Sequence, residues 1–160
     1  DDNNFHKFLS LIEFLKKKQI KIIFDFNIRI KRWSKKKLFS YFSKTLPFVD
    51  ILFSSGEDLN FLKGNASLRT FKNLIQKYNI EHAIYRNNAR LNYSFYKDES
   101  YFMKNKIKNK VVDTSGAGDG YNAAYISKFI KFNDPQKALH AASQIGSKIV
   151  MKKGAIVNVK

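Results

Sequence analysis

The residues of this chain best suited to chemistry form one stretch, DTSGAGDG at 113–120. Asp113 and Asp119 flank a Gly-Ala-Gly turn, which leaves backbone N–H groups open to an anion. Those N–H groups and the dipole of a helix predicted at 118–132 together favour bound phosphate. A carboxylate beside phosphate is suited to taking a proton from an attacking hydroxyl while the amides stabilise the transferred phosphoryl group. The stretch therefore predicts a phosphoryl-transfer site with Asp119 as its base.

The residues alone leave a second interpretation of this stretch open. A Gly-Ala-Gly-Asp pattern is weakly specific, because small residues and acids also begin helices that bind no ligand.

The elements that must position this stretch alternate between strands and helices. Such alternation predicts an α/β layered fold with a mainly parallel sheet, in which ligands bind beyond the carboxyl ends of the strands. Ser34 is predicted to cap one helix, and Asp134 with Pro135 to begin another. The apolar spacing predicts helices at 5–18, 35–46, 67–78, 118–132 and 135–151, a short helix start at 56–62, and strands at 21–26, 49–55 and 82–86. It also predicts a hairpin over 91–103 that turns around Asp98, Glu99 and Ser100.

Composition limits the class of protein. A chain of 160 residues, 44% of them hydrophobic, can form one domain with a core and is not disordered throughout. The absence of cysteine excludes disulfides and thiol catalysis. No apolar run approaches the roughly 18 residues that cross a bilayer, so we expect no membrane partner and a cytoplasmic location. The N-terminus, DDNNFHKF, is neither a Met start nor a signal peptide, which suggests that the numbered chain begins inside a longer one.

The net charge of +17 would suit a nucleic-acid partner. The basic residues are nevertheless spread along the chain, which is also rich in Asn, Ile, Phe and Tyr, as expected from an AT-rich coding sequence. No aromatic-basic groove motif or recognition helix is recognisable. The sequence therefore favours compositional drift over a nucleic-acid-binding surface.

Four segments resemble the ribokinase-like (PfkB) carbohydrate kinases. VVDTSGAGDGYNAAY is similar to that family's C-terminal signature, Asp-Thr-x-Gly-Ala-Gly-Asp. IIFDFNIRIKRW resembles the Asp-x-Asn-x-Arg-x-x-x-Trp segment of the 2-keto-3-deoxygluconate kinase branch, ILFSSGEDLNFL the Asn-x-x-Glu segment, and GAIVNV the closing Gly-Ala strand. The resemblance covers about 5–160 and implies one domain at 1–160, the C-terminal part of a kinase domain. Its implied fold is a three-layer α/β/α ribokinase-like fold with a mainly parallel sheet.

The resemblance also implies roles for individual residues. Asp119 matches the catalytic base at the sugar hydroxyl, and Gly116, Ala117 and Gly118 match the anion hole around the γ-phosphate. Asn27 and Arg29 match substrate-binding positions, where a guanidinium suits the carboxylate of a sugar acid. Glu57 matches the acid that holds Mg²⁺ through water, and Asp113 and Ser115 lie where some relatives hold a monovalent cation such as K⁺. The implied nucleotide-binding residues are Arg32, Ser54, Arg86, Gly116, Gly118, Ala142 and Ser143.

The sequence departs from the family pattern in two respects. Relatives carry a Lys-x-Gly-x-x-Gly turn where this chain reads RNNARL, with Asn88 and Leu91 at the glycine positions, and most carry Asn where Ser54 stands. The chain is also about half the size of a family kinase, so we expect the N-terminal half, with its Gly-Gly motif and β lid, to be missing. A separate N-terminal chain or a homodimer would then be the implied protein partner.

Three functions are compatible with these patterns. The first is ATP- and Mg²⁺-dependent phosphoryl transfer to a hydroxyl of a sugar or sugar acid such as 2-keto-3-deoxygluconate, with weak or no activity in the fragment alone. The second is an inactive kinase relic that acts at most as an interaction protein. The third, and least favoured, is a basic nucleic-acid-binding protein.

Overall fold

A computed structural model of the chain describes residues 2–29, 33–87, 91–105 and 111–159. The chain divides into unit 1, Asp1–Arg86, and unit 2, Asn87–Lys160. The single domain at 1–160 stays a prediction. No helix in the described ranges is long and apolar enough to cross a membrane.

Unit 1 is built on parallel strands. β1 (Ile23–Asp25) pairs with β2 (Ile51–Ser55), and β2 pairs with β3 (His82–Asn87). Successive residues are buried in both β2 (52–54) and β3 (82–85), so both faces of these strands are covered, as expected for parallel strands between helices. The helices of this unit are α1 (Asp2–Lys17), α2 (Lys35–Thr45), α3 (Gly56–Lys63) and α4 (Leu68–Lys77), with a 3₁₀ turn at Leu46–Phe48.

Serine side chains begin three of these helices. Ser34, Ser55 and Ser67 each accept a backbone N–H from the first turn of α2, α3 and α4. The hydroxyl satisfies an amide that has no partner within the helix, which fixes where each helix starts. The predicted cap at Ser34 is confirmed.

Part of the core of unit 1 lies between α4 and the sheet. Phe71 of α4 stacks on Tyr85 of β3, with ring centroids 4.7 Å apart, and neither side chain is exposed. The Tyr85 hydroxyl donates to the carbonyl oxygen of Ala66 in the loop before α4. The buried ring therefore brings its polar end to an acceptor.

Unit 2 packs two helices against a hairpin. β4 (Leu91–Tyr96) and β5 (Glu99–Lys104) are antiparallel, and α5 (Ala117–Phe132) and α6 (Pro135–Ile149) follow. Tyr125 of α5 reaches the hydroxyl of Ser94 in β4 at 2.6 Å, with both side chains fully buried. Asp134 caps α6 and Pro135 occupies its first turn, as predicted.

The structure confirms the alternating elements predicted from the sequence, with most bounds within two residues. Two details differ. The hairpin turns at Lys97 and Asp98, because Lys97 takes a left-handed φ of 53°, and β5 already begins at Glu99. The predicted closing strand is absent from the described residues 154–159, where the backbone bends at 154–156 and has no regular structure at 157–159.

The buried imidazole of His82 is expected to make the stability of the protein depend on pH. Burial lowers the pKa of the His82 imidazole from 6.5 to about 4. The unfolded chain therefore binds a proton between these two pH values while the folded chain does not. We expect stability to be full above pH 6.5 and to fall by up to about 3 kcal/mol as the pH approaches 4.

Urea denaturation of His82→Gln at pH 7 and pH 5 tests this dependence. His82→Gln should reduce the difference in the free energy of unfolding between the two pH values. His140→Gln, at an exposed position, should leave that difference as in the wild type. An equal slope in both variants would contradict the assignment to His82.

Candidate functional site

The N-terminus of α5 is shaped by Gly116. This residue is the N-cap of the helix and has a φ of +71°, a left-handed value that favours glycine. A Cβ at this position would lie 2.5 Å from the backbone oxygen of Ala155. The segment before the helix and the segment at 155 therefore approach so closely that a side chain at 116 would not fit.

Two backbone amides at the start of α5 have no acceptor among the described residues. Ala117 N–H donates to the Thr114 carbonyl (3.2 Å), and Gly120 N–H donates to the Gly116 carbonyl (2.9 Å). Within the described ranges no such bond is made by the N–H groups of Gly118 and Asp119. Their N–H groups, with the positive end of the helix dipole, are free to bind an anion.

This open end distinguishes α5 from its neighbours. Side chains of Ser34, Ser55, Ser67 and Asp134 cap α2, α3, α4 and α6, whereas no side chain caps α5. Of the anion hole predicted at Gly116, Ala117 and Gly118, the Ala117 N–H is already bonded to Thr114, and the open amides are those of Gly118 and Asp119. An open helix start of this kind can bind an anion, and the phosphate site itself stays a prediction. Asp119, the predicted base, lies in the first turn of the same helix and is exposed.

Asp113 braces the loop that leads into α5. Its Oδ1 accepts the Ser115 N–H (2.8 Å), and its Oδ2 accepts the Gly154 N–H (2.9 Å). These two backbone hydrogen bonds lower the pKa of the Asp113 carboxyl below its usual value. The N–H groups of Val112 and Asp113 also donate to the Val150 carbonyl, so the loop is tied along 150–154. The K⁺ site at Asp113 and Ser115 stays a prediction.

In unit 1 the predicted substrate-binding residues lie on the loop after β1. Asn27 has a left-handed φ of 38°, and both Asn27 and Arg29 are exposed. Asp25, at the end of β1, pairs with Arg86, at the end of β3, with Arg86 Nη2 3.4 Å from each carboxylate oxygen. Both side chains of this pair are about four-fifths buried. The guanidinium predicted to meet the nucleotide is thus an ion-pair partner across the end of the sheet.

The sequence interpretation missed Asp58. Its carboxylate is buried and completes a reciprocal cap of α3 with Ser55, and its other oxygen accepts the N–H of Ile28 (2.9 Å). The pattern Ser55-Gly56-Glu57-Asp58 is the signal that could have revealed the cap, because an acid three residues after serine is typical of it. Glu57, the predicted Mg²⁺ residue, is exposed in the same turn.

Three of the remaining predicted nucleotide-binding residues are buried, and a fourth lies outside the described residues. Ser54 is fully buried in β2, with its hydroxyl directed to the carbonyl of Ser55 (3.2 Å). Ala142 and Ser143 are buried on α6, and the Ser143 hydroxyl accepts from Asn92 Nδ2 at 3.4 Å. Arg32 lies outside the described residues. Among the described residues, no group of three His, Asp or Glu side chains could hold a metal ion.

Comparison with known proteins places the chain in a family. Residues 6–160 match the family model described as pfkB family carbohydrate kinase. The chain is 24% identical over 147 residues to the 5-dehydro-2-deoxygluconokinase of Bacillus subtilis, covering 90% of this chain and 45% of that protein. It is 26% identical over 148 residues to the 2-dehydro-3-deoxygluconokinase of Haemophilus influenzae, covering 90% and 47%. The chain thus spans about half the length of the curated relatives it matches.

A solved structure confirms the fold. Aminoimidazole riboside kinase from Salmonella enterica, complexed with aminoimidazole riboside and an ATP analogue, superposes with a TM-score of 0.79 at 20% identity. The match covers 92% of this chain and 51% of that one. The predicted ribokinase-like α/β fold with a mainly parallel sheet is confirmed.

Replacing Gly116 with alanine should lower the free energy of unfolding by more than the strain of a left-handed backbone alone. Gly64 also has a φ of +71°, but a Cβ there meets nothing within 4 Å. Gly64→Ala should therefore lower the free energy of unfolding by about 1 kcal/mol, the cost of a left-handed residue with a side chain. Gly116→Ala should lower it by at least about 1 kcal/mol more, because the Cβ also displaces the backbone at Ala155. Equal losses in urea denaturation would show that the close approach is not a constraint.

Proposed function

We propose that this chain, which belongs to the pfkB family of carbohydrate kinases, carries the phosphoryl-transfer residues of a sugar-acid kinase. The observation that carries this proposal is the uncapped N-terminus of α5, with Asp119 in its first turn. Both curated relatives described above are named as kinases of a dehydro-deoxygluconate, a sugar acid. We take 2-keto-3-deoxygluconate as the model substrate.

The proposed reaction moves the γ-phosphoryl group of ATP to a substrate hydroxyl. The Asp119 carboxylate takes the proton of that hydroxyl, the oxygen forms a bond to the γ-phosphorus, and the bond from the γ-phosphorus to the bridging oxygen of ADP breaks. The N–H groups of Gly118 and Asp119 stabilise the negative charge on the phosphoryl oxygens. Gly116 and Ala117 shape the turn that leaves these amides accessible.

The proposed function requires Mg²⁺ and could use K⁺, and the described residues offer oxygen ligands for both. Glu57 is an exposed carboxylate, which suits contact with Mg²⁺ through water. Bound Mg²⁺ would neutralise phosphate charge. Asp113 accepts the backbone N–H groups of Ser115 and Gly154 and is also hydrogen-bonded by the Ser115 side chain. A carboxylate has about four lone-pair positions, so acceptor capacity remains for a monovalent cation such as K⁺.

The proposed substrate-binding residues, Asn27 and Arg29, lie on the loop after β1. Arg29 can grip a sugar-acid carboxylate through two parallel hydrogen bonds, and the amide of Asn27 can bond a sugar hydroxyl. Both side chains are exposed and available for this purpose. Nucleotide contacts at Arg32, Ser54, Arg86, Ala142 and Ser143 are part of the same proposal. Arg86 would have to keep or exchange its pairing with Asp25 to make one.

A matched pair of substitutions tests the phosphate site. Gly118→Asp and Gly118→Asn add nearly the same volume to the first turn of α5, but only the first adds a charge. We expect Mg-ATP to bind the Asp variant at least tenfold more weakly than the Asn variant in titration calorimetry, because the carboxylate repels the phosphates. Equal affinities would contradict a phosphate site at this helix end. No binding by a folded wild-type chain would instead favour the inactive relic.

Removal of the base should separate binding from chemistry. Asp119→Asn should retain Mg-ATP affinity within about threefold, since its backbone N–H is unchanged. The rate of ADP formation with 2-keto-3-deoxygluconate should fall roughly 10²- to 10⁴-fold, the usual contribution of a general base. A variant with wild-type turnover would exclude Asp119 as the base.

A further inference from the structure

We propose that Asp58 is a positioning residue for the sugar-acid end of the site, an inference that rests on the function proposed above. Asp58 is only 7% exposed, and its carboxylate joins two segments that are 30 residues apart in the sequence. Oδ1 accepts the N–H of Ile28 at 2.9 Å. Oδ2 accepts both the N–H (3.0 Å) and the hydroxyl (2.7 Å) of Ser55.

The loop after β1 needs such a tether. The N–H of Phe26 makes a sheet-like bond to the Phe53 carbonyl (3.2 Å), and β1 itself has already ended at Asp25. Asn27 then turns the chain with a left-handed φ of 38°. Ile28, which follows, is held by Asp58. Asn27 and Arg29 flank this fixed amide on either side, so its position sets the backbone from which both side chains project.

A carboxylate is required because three donors meet at this point. Each oxygen of Asp58 accepts at least one of them, and an ionised acid presents acceptors only. An asparagine would place an NH₂ group against either Ile28 or Ser55, where it would face another donor. Asp58 therefore links the start of α3, which also carries Glu57, to the loop of Asn27 and Arg29.

Two substitutions distinguish positioning from helix capping. Asp58→Asn disturbs the tether and the cap, whereas Ser55→Ala removes the serine hydroxyl from the cap and leaves the Ile28 bond. We expect Asp58→Asn to raise the KM for 2-keto-3-deoxygluconate about tenfold or more while the KM for ATP stays within twofold. Ser55→Ala should lower Tm but leave both KM values within twofold. If Ser55→Ala shifts the sugar-acid KM as much as Asp58→Asn does, or if Asp58→Asn leaves it unchanged, the positioning role is excluded.

Amide hydrogen exchange gives a readout that does not depend on activity. In the wild-type chain the Ile28 amide should exchange at least tenfold more slowly than the amides of Asn27 and Arg29, because it alone of the three donates to Asp58. The protection should persist in Ser55→Ala and disappear in Asp58→Asn.

The two readouts separate failure of this inference from failure of the proposed function. A chain that binds no 2-keto-3-deoxygluconate but keeps a protected Ile28 amide would refute the substrate proposal and leave the tether in place. An unprotected Ile28 amide in the wild-type chain would overturn the tether itself, even if Asp58→Asn does not fold.

Discussion

The candidate site of unit 2 depends on the backbone amides of Gly118 and Asp119, which have no acceptor in the described part of the protein. A helix start is normally satisfied by a side chain, and α2, α3, α4 and α6 follow that rule. Helix α5 instead begins at a left-handed glycine without a side-chain cap. Packing must therefore supply the stability that a cap would otherwise give. The buried side chain of Tyr125, hydrogen-bonded to Ser94, holds the helix against the hairpin.

Three of the chain's acids, Asp50, Asp58 and Asp113, hold backbone segments in place. Only 13 Asp and Glu residues accompany 30 Lys and Arg. Asp50 accepts the N–H of Ile22 as well as two lysines, Asp58 accepts those of Ile28 and Ser55, and Asp113 those of Ser115 and Gly154. Such bonds to a charged acceptor are stronger than bonds between neutral groups. Single carboxylates therefore fix individual loops even though the chain as a whole carries an excess of positive charge.

Local chemistry could be predicted from the sequence, whereas long-range partners could not. Ser34 and Asp134 cap helices as expected, because a cap depends on residues within four positions. The GAGD stretch likewise predicted an open helix start. The pairing of Asp25 with Arg86, and that of Asp58 with Ile28, join residues 61 and 30 positions apart. Such pairings depend on which strands and loops become neighbours, and no spacing rule reports that.

The same distinction explains the burial of several predicted site residues. Ser54, Ala142 and Ser143 were assigned by matching positions to a family pattern, which carries no information on which face of a strand or helix a side chain occupies. Ser54 is enclosed in β2, and Ser143 is turned towards Asn92 of the hairpin.

The close approach of Gly116 to Ala155 has a consequence for how this region can evolve. The two positions are 39 residues apart by their numbering, yet neither backbone can shift without the other. Point substitutions at exposed residues of the intervening helices would be tolerated more readily than a gain or loss of one residue between Val150 and Ala155. Such a length change would alter the register of the segment that lies against Gly116. Natural variation among relatives should therefore consist of substitutions rather than gaps in this segment, although it lies at the protein surface.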